Sequence, residues 1–218
     1  VGSIAGLTAA DAQAFFRERF TPNNARLVVT GDFDPTTAHQ LITEYFGGIP
    51  RGPDPSPATC TTNFPSGAST RTVSDRLVGG TAVGLFYRIP SHGDADTPAL
   101  ELLGVMLSRG SGSRLATALS RDAGAAIGTQ GGILGDRRGP GAFGLFAIAA
   151  AGVTADSLAG LLALQAAWAA SERVTEADLA RAKEIYLATM ASTRERPADV
   201  AEQLHHATTF HGSPEAVN

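Results

Sequence analysis

Cysteine is almost missing from this chain: Cys60 is the only one among 218 residues. No intrachain disulfide can form and no thiolate zinc site can be built, which leaves cytoplasm and periplasm both open. Lysine is nearly missing too. Lys183 is one of 17 basic residues, so the other 16 are arginine. With so much Ala and Gly beside it, that bias points to a GC-rich bacterial genome rather than to chemistry. Positive charge is short overall, with 17 basic residues against 21 acidic ones and a net charge of −4, so a nucleic-acid-binding surface is not expected. Long apolar runs are lacking. The longest, LAGLLALQAAWAA at residues 158–170, contains Gln165 and falls short of the roughly 20 residues that cross a bilayer. It reads as a buried helix, and no membrane span is expected. Val1 is preceded by no Met start or basic n-region, so no signal peptide is read and a piece of a longer protein is expected. What is present is globular: 43% hydrophobic, 17% charged, with 25 Gly and 12 Pro. Collagen-like, coiled-coil and wholly disordered chains are excluded, and one large domain or two small ones would fit.

The common signatures of catalysis are missing as well. Neither HExxH nor HxxEH occurs, and no G-x-S-x-G elbow is present. His205, His206 and His211 lie one, five and six apart, whereas two ligands on one helical face need three or four. They read as ordinary, partly exposed residues. His39 and His92 have no partner at catalytic spacing. The acidic loop around Asp94 and Asp96 lacks the remaining ligands of a calcium loop, and capping of the following helix is the simpler reading. Gly110-Ser111-Gly112-Ser113-Arg114 invites a phosphate-loop reading, yet no Walker lysine follows; a helix–helix turn accounts for it better.

Punctuation organises the rest. Thr8 as N-cap with Asp11 three residues on predicts a helix over residues 7–20, ended by Thr21-Pro22-Asn23-Asn24. ARLVVTGDF reads as a short strand buried on both faces. Asp34-Pro35 restarts a helix over residues 36–46. Residues 50–67 are rich in Pro, Ser and Thr and read as a linker. Beyond it, STRTVSDRLV and TAVGLFYRIP read as two strands meeting at Gly79-Gly80. Helices come next over residues 97–108 and 113–122, then the strands AAIGTQGGIL and GAFGLFAIAA around GDRRGPG. Helices over residues 154–171, 175–194 and 197 to about 210 complete the chain. Paired strands alternating with paired helices predict an α+β fold, an antiparallel sheet with helices packed on it.

The order of these motifs resembles one family. LTAADAQAFFRERFTPNNARLVVTGDFDPTTAHQLITEYFGGIP is similar to a segment of the insulinase, pitrilysin and mitochondrial processing peptidase family, with its Pro-Asn-Asn turn, Leu-Val-Val-x-Gly-Asp strand and Tyr-Phe-Gly-x-Ile-Pro ending. Pro22, Asn23, Asn24, Gly31, Asp32, Tyr45, Phe46, Gly47, Ile49 and Pro50 stand where that pattern wants them. FYRIPSHGDADTPALELLGVMLSRGSGSRLATAL, including Ser113, Arg114 and Leu115, resembles the family's second domain, and VTEADLARAKEIYLATM its late helix.

The resemblance implies a fragment of a bacterial zinc metallopeptidase. Residues 1–50 would be the closing helix–strand–helix of the preceding zinc-type domain and 51–68 a Pro-rich linker. Residues 69–218 would be a second, metallopeptidase-repeat-like domain without the zinc motif, truncated at its end. The implied role is to wall a substrate chamber and pack against the zinc-bearing domain and the second half of a clamshell, with peptides as substrates and without catalysis by this chain alone. Zinc would belong to the parent, and no cofactor, metal ligand or catalytic residue is assigned here. The alternative is a degenerate, non-catalytic partner or assembly subunit. The family's substrate-holding Arg/Tyr pair would fall at Ser120 and Ile127, which match neither residue. Arg121 is one step out of register, about 100° around its helix. Periplasm is the implied compartment, cytoplasm the alternative. Finally, residues 26–32 are expected to pair with the second-domain sheet, within the chain or in a strand-exchanged dimer.

Overall fold

Thr8, Asp34, Thr154 and Thr175 each set a helix start with a side chain that captures an orphan amide, whereas Asp96, ahead of residues 97–108, makes no such bond. The computed structural model describes residue 4 and residues 6–55, 66–77, 79–91, 93–135, 139–171 and 174–217. These fall into two units, residues 1–61 with 194–218, and residues 62–193.

In the first unit, α1 spans Ala9–Arg19 and α2 spans Pro35–Phe46. Thr8 and Asp11 form a reciprocal capping box, and the Thr8 hydroxyl bond followed by its backbone bond holds the Asp11 carboxyl below its ordinary value. Asp34 caps α2 by accepting from the Thr37 amide at 2.7 Å, with Pro35 in the first turn. A 3-10 turn at Pro22–Asn24 closes off α1, and the Asn24 side chain donates to the Arg19 carbonyl at 2.7 Å. Here the structure corrects the expectation from sequence. Residues 25–30 join no β-ladder, Leu27 and Val29 are exposed, and the sheet contains no strand from this segment among the described residues. Within the chain, the expected pairing of residues 26–32 with the second-domain sheet is therefore not made among the described residues. Side chains fasten the segment instead: Arg26 donates to the Thr208 carbonyl, and Thr30 Oγ1 donates to the Pro197 carbonyl at 2.6 Å. Pro197 opens α6, which spans Pro197–His206 and continues as a π-turn over Ala207–His211.

In the second unit, β1 (Ala82–Ser91), β2 (Ala126–Leu134) and β3 (Pro140–Ala149) form an antiparallel sheet in the order β1–β3–β2. The strand expected at residues 69–78 does not form over its described part, residues 69–77. Residues 68–77 are irregular, and the Asp75 carboxylate accepts the Leu77 amide at 2.9 Å, a local turn that competes with strand pairing. Val73 and Leu77, the apolar residues of that run, stay exposed and have nothing to pack on.

On the sheet pack α3 (Thr97–Ser108), a π-helix at Ala116–Asp122, and α4 (Ala155–Ala169). By the register, Phe143, Leu145 and Ala147 of β3 share one face with Val83, Leu85 and Tyr87 of β1, and with Thr129, Gly131 and Ile133 of β2. That face meets the fully buried Leu107, Leu115, Leu119, Leu158 and Leu162. Burial of each such side chain contributes about 1.5–3 kcal/mol. Val105 and Met106 turn to a second cluster with Ala182 and Tyr186 of α5 (Glu176–Arg194). The architecture is α+β with an antiparallel sheet, as the strand and helix pattern predicts.

Candidate functional site

Among the described residues, the face of the sheet opposite its helices carries several exposed apolar side chains. Leu85, Leu145 and Gly131 lie across one row of the covered face; one residue along, Phe86, Gly144 and Gly132 lie across a row of the other. This second face carries Phe86, Phe146, Ile148 and Leu134, all exposed, with Arg88 at its margin and Gln130 within it. Phe86, 63% exposed, lies flat on the strands: a Cβ added to Gly84 would come within 2.6 Å of its ring, and one added to Gly144 within 3.2 Å. The two glycines thus leave room for the ring, which in turn shields their backbone. Three strands about 4.8 Å apart and ten residues long present a surface on the order of 450 Å². Exposed apolar side chains gathered on one face in this way are a feature of contact sites.

Ile127 stands at the end of this face. The ladder between β2 and β3 shifts between Ala126 and Gly128, so Ile127 is the extra residue of a bulge and is 75% exposed. Bulges of this kind re-aim a side chain away from the pleat. Ser120 sits in the π-helix and is half-buried. Arg121, the next residue, is exposed, and its guanidinium donates to the Ser111 carbonyl at 2.8 Å.

The described residues do not fit a zinc centre. Among the described residues no group of three or more His, Cys, Asp or Glu stands close enough to hold a metal ion. His39 and His205 are exposed, and the His206 ring packs against Phe210 with centroids 4.6 Å apart. Cys60 and His92 lie outside the described residues. The Gly110–Ser113 segment is a helix–helix turn, with the Ser113 amide donating to the Gly110 carbonyl at 3.0 Å and Gly110 at φ +80°. Asp94 accepts the Asp96 amide at 3.2 Å just ahead of α3, a local turn rather than a cation loop.

Sequence alternation misses the bare face for a physical reason. GAFGLFAIAA is apolar at every position, and an all-apolar strand reads as covered on both sides. The structure covers one.

The family model described as the peptidase M16 inactive domain matches residues 6–186. The chain belongs to that family. Among solved structures, a protease from Helicobacter pylori matches with a TM-score of 0.87 at 22% identity, over 99% of this chain and 52% of its own. The peptidase M16 inactive domain from Pseudomonas fluorescens matches at 0.76 and 20%, over 100% of this chain and 50% of its own. The periplasmic protease PqqL from Escherichia coli matches at 0.71 and 20%, over 99% of this chain and 24% of its own. At these identities the likeness is one of fold. The M16 chain spans about half the length of the first two. None of the curated proteins matches it significantly in sequence.

Proposed function

We propose that this M16 chain is the non-catalytic portion of a larger zinc peptidase, in which the bare sheet face forms part of the wall of a peptide chamber. The observation that carries this is the apolar face itself, with Phe86 and Ile127 held outward on a rigid three-stranded sheet. An extended peptide lies readily on such a surface, and Ile127 at its end is the position assigned to its neighbourhood, whereas Ser120 stands in the π-helix packed on the other face.

The first unit is assigned to the zinc-bearing domain that precedes it, with the Pro-rich stretch as linker. Its helices support this. Neither α1 nor α2 buries a residue, while Phe15, Phe16 and Phe20 pack on one another in the open and Leu41, Tyr45 and Phe46 are exposed on α2. Faces of that character are ordinarily covered in a complete domain. The zinc is assigned to the parent, and the periplasm to its compartment, on the likeness to a periplasmic protease.

The test is made in the full-length parent. Phe86→Asp and Ile127→Asp are expected to lower kcat/KM on a long peptide by about tenfold while bound zinc is unchanged. Unaltered kcat/KM in both variants would overturn the chamber-wall reading. A parent that binds no zinc and cleaves nothing would instead support a non-catalytic partner subunit.

A further inference from the structure

The turn between α3 and the π-helix gathers positive charge in a chain whose net charge is −4. Arg121 donates to the Ser111 carbonyl at 2.8 Å, and Arg181 of α5 donates to the Gly112 carbonyl at 3.1 Å. Carbonyls of consecutive residues sit on Cα atoms about 3.8 Å apart. The two guanidinium groups are thereby anchored on neighbouring carbonyls of one turn. Gly112 makes the second anchor possible, since a Cβ there would lie 3.1 Å from the Arg181 Nη1.

Neither arginine has a carboxylate within ion-pair distance among the described residues. Each spends one N–H on a backbone carbonyl and keeps the rest of its fork toward solvent, for both are exposed. Arg114 is held beside them with its Cζ 4.0 Å from the centre of the Trp168 ring, and Arg109 is exposed at the end of α3. Among the described residues, Asp122 follows Arg121 in sequence, and the charge of Asp178 interacts with Arg181 and Arg114. Asp178 is already engaged by the Thr175 hydroxyl at 2.7 Å. Arg121 and Arg181 are thus two cations fixed on one turn, with Asp178 the carboxylate whose charge reaches Arg181.

We propose that Arg121 and Arg181, anchored on the turn of residues 110–113, bind an oxyanion, the carboxylate of an acidic peptide or a phosphate group. The geometry suits it: two preset guanidinium forks cost little ordering entropy, and charge-assisted bonds to carboxylate or phosphate are the strong ones. The site is independent of the chamber-wall reading.

Isothermal titration of the full 218-residue chain with inorganic phosphate, and separately with an acidic hexapeptide and its amide-substituted counterpart, tests the proposal. Binding of phosphate or of the acidic peptide is expected, weakened about tenfold or more in Arg121→Gln and in Arg181→Gln and unchanged in Arg71→Gln. Binding of the acidic peptide alone names a peptide carboxylate as the source, and binding of phosphate alone names a phosphoryl group. Trp168 fluorescence checks that the variants are folded. No binding of either anion, or binding that survives in both folded variants, overturns the proposal.

Discussion

Gly104 of α3 and Gly132 of β2 meet backbone to backbone: a Cβ on Gly104 would stand 3.1 Å from the Gly132 Cα. Helix and strand approach this closely because neither carries a side chain at the crossing. Ser108, one turn further along α3, locks the contact by donating to the Gly131 carbonyl at 2.7 Å.

Gly104→Ala is therefore expected to destabilise the protein by about 1–3 kcal/mol, since the opposing atom is backbone and cannot rotate away. Gly160 is the contrast. It lies in α4, exposed, with nothing within 4 Å of an added Cβ. Gly160→Ala should stabilise by about 0.5–1 kcal/mol, through helix propensity alone. Urea denaturation of the two variants checks the opposite signs, and equal signs would refute the packing argument.

Tyr186 of α5 donates its hydroxyl to the Glu101 carboxylate of α3 across 2.7 Å. Burial, then this hydrogen bond, then the charge of Glu101 push the phenol up from 10.0 to about 12. A folded pKa above the unfolded one means that the protonated phenol favours the fold. Its contribution is complete below pH 10 and is lost as the pH rises toward 12. Wild type should thus lose stability more steeply than Tyr186→Phe across that interval. Thermal melts taken along the pH series decide it, and parallel curves would show that Glu101 does not hold the proton.

Trp168 is the only tryptophan, and its ring carries the Arg114 guanidinium at 4.0 Å. It is also nearly buried among core residues of the second unit. Arg114→Gln should cost about 0.5–2 kcal/mol and shift the fluorescence of the folded state, whereas Arg114→Lys should retain part of the stability. Fluorescence-monitored unfolding reads both effects from one probe. A glutamine variant as stable as wild type would place the stacking among surface contacts of no consequence.

Much of the secondary structure is legible because its cause is local. Thr8 with Asp11, Asp34 with Pro35, and Thr154 ahead of α4 each announce a helix start, and all three side chains bond as their positions require. The strands at residues 82–91 and 140–149 are legible from their apolar runs. The failures are non-local. Residues 25–32 have the composition of a buried strand, yet strand formation needs a partner edge, and among the described residues this segment joins none. Residues 69–77 alternate suitably but hold too little apolar surface to outweigh the Asp75 turn. The helix expected at residues 113–122 widens to a π-helix over Ala116–Asp122, with Leu119 fully buried, and no rule of periodicity would announce that.

By itself the sequence determined where helices begin and end, that the fold is α+β, and which family the chain belongs to, because caps, turns and motif order act over a few residues. Only the tertiary structure decided which face of an all-apolar strand is covered. It alone placed Ile127 on a bulge, and brought Arg121 and Arg181 from separate helices to neighbouring carbonyls. The physical reason is that a strand's two faces are chemically alike in sequence when both are apolar. Only the packing of helices on one of them, over contacts dozens of residues apart, makes them different.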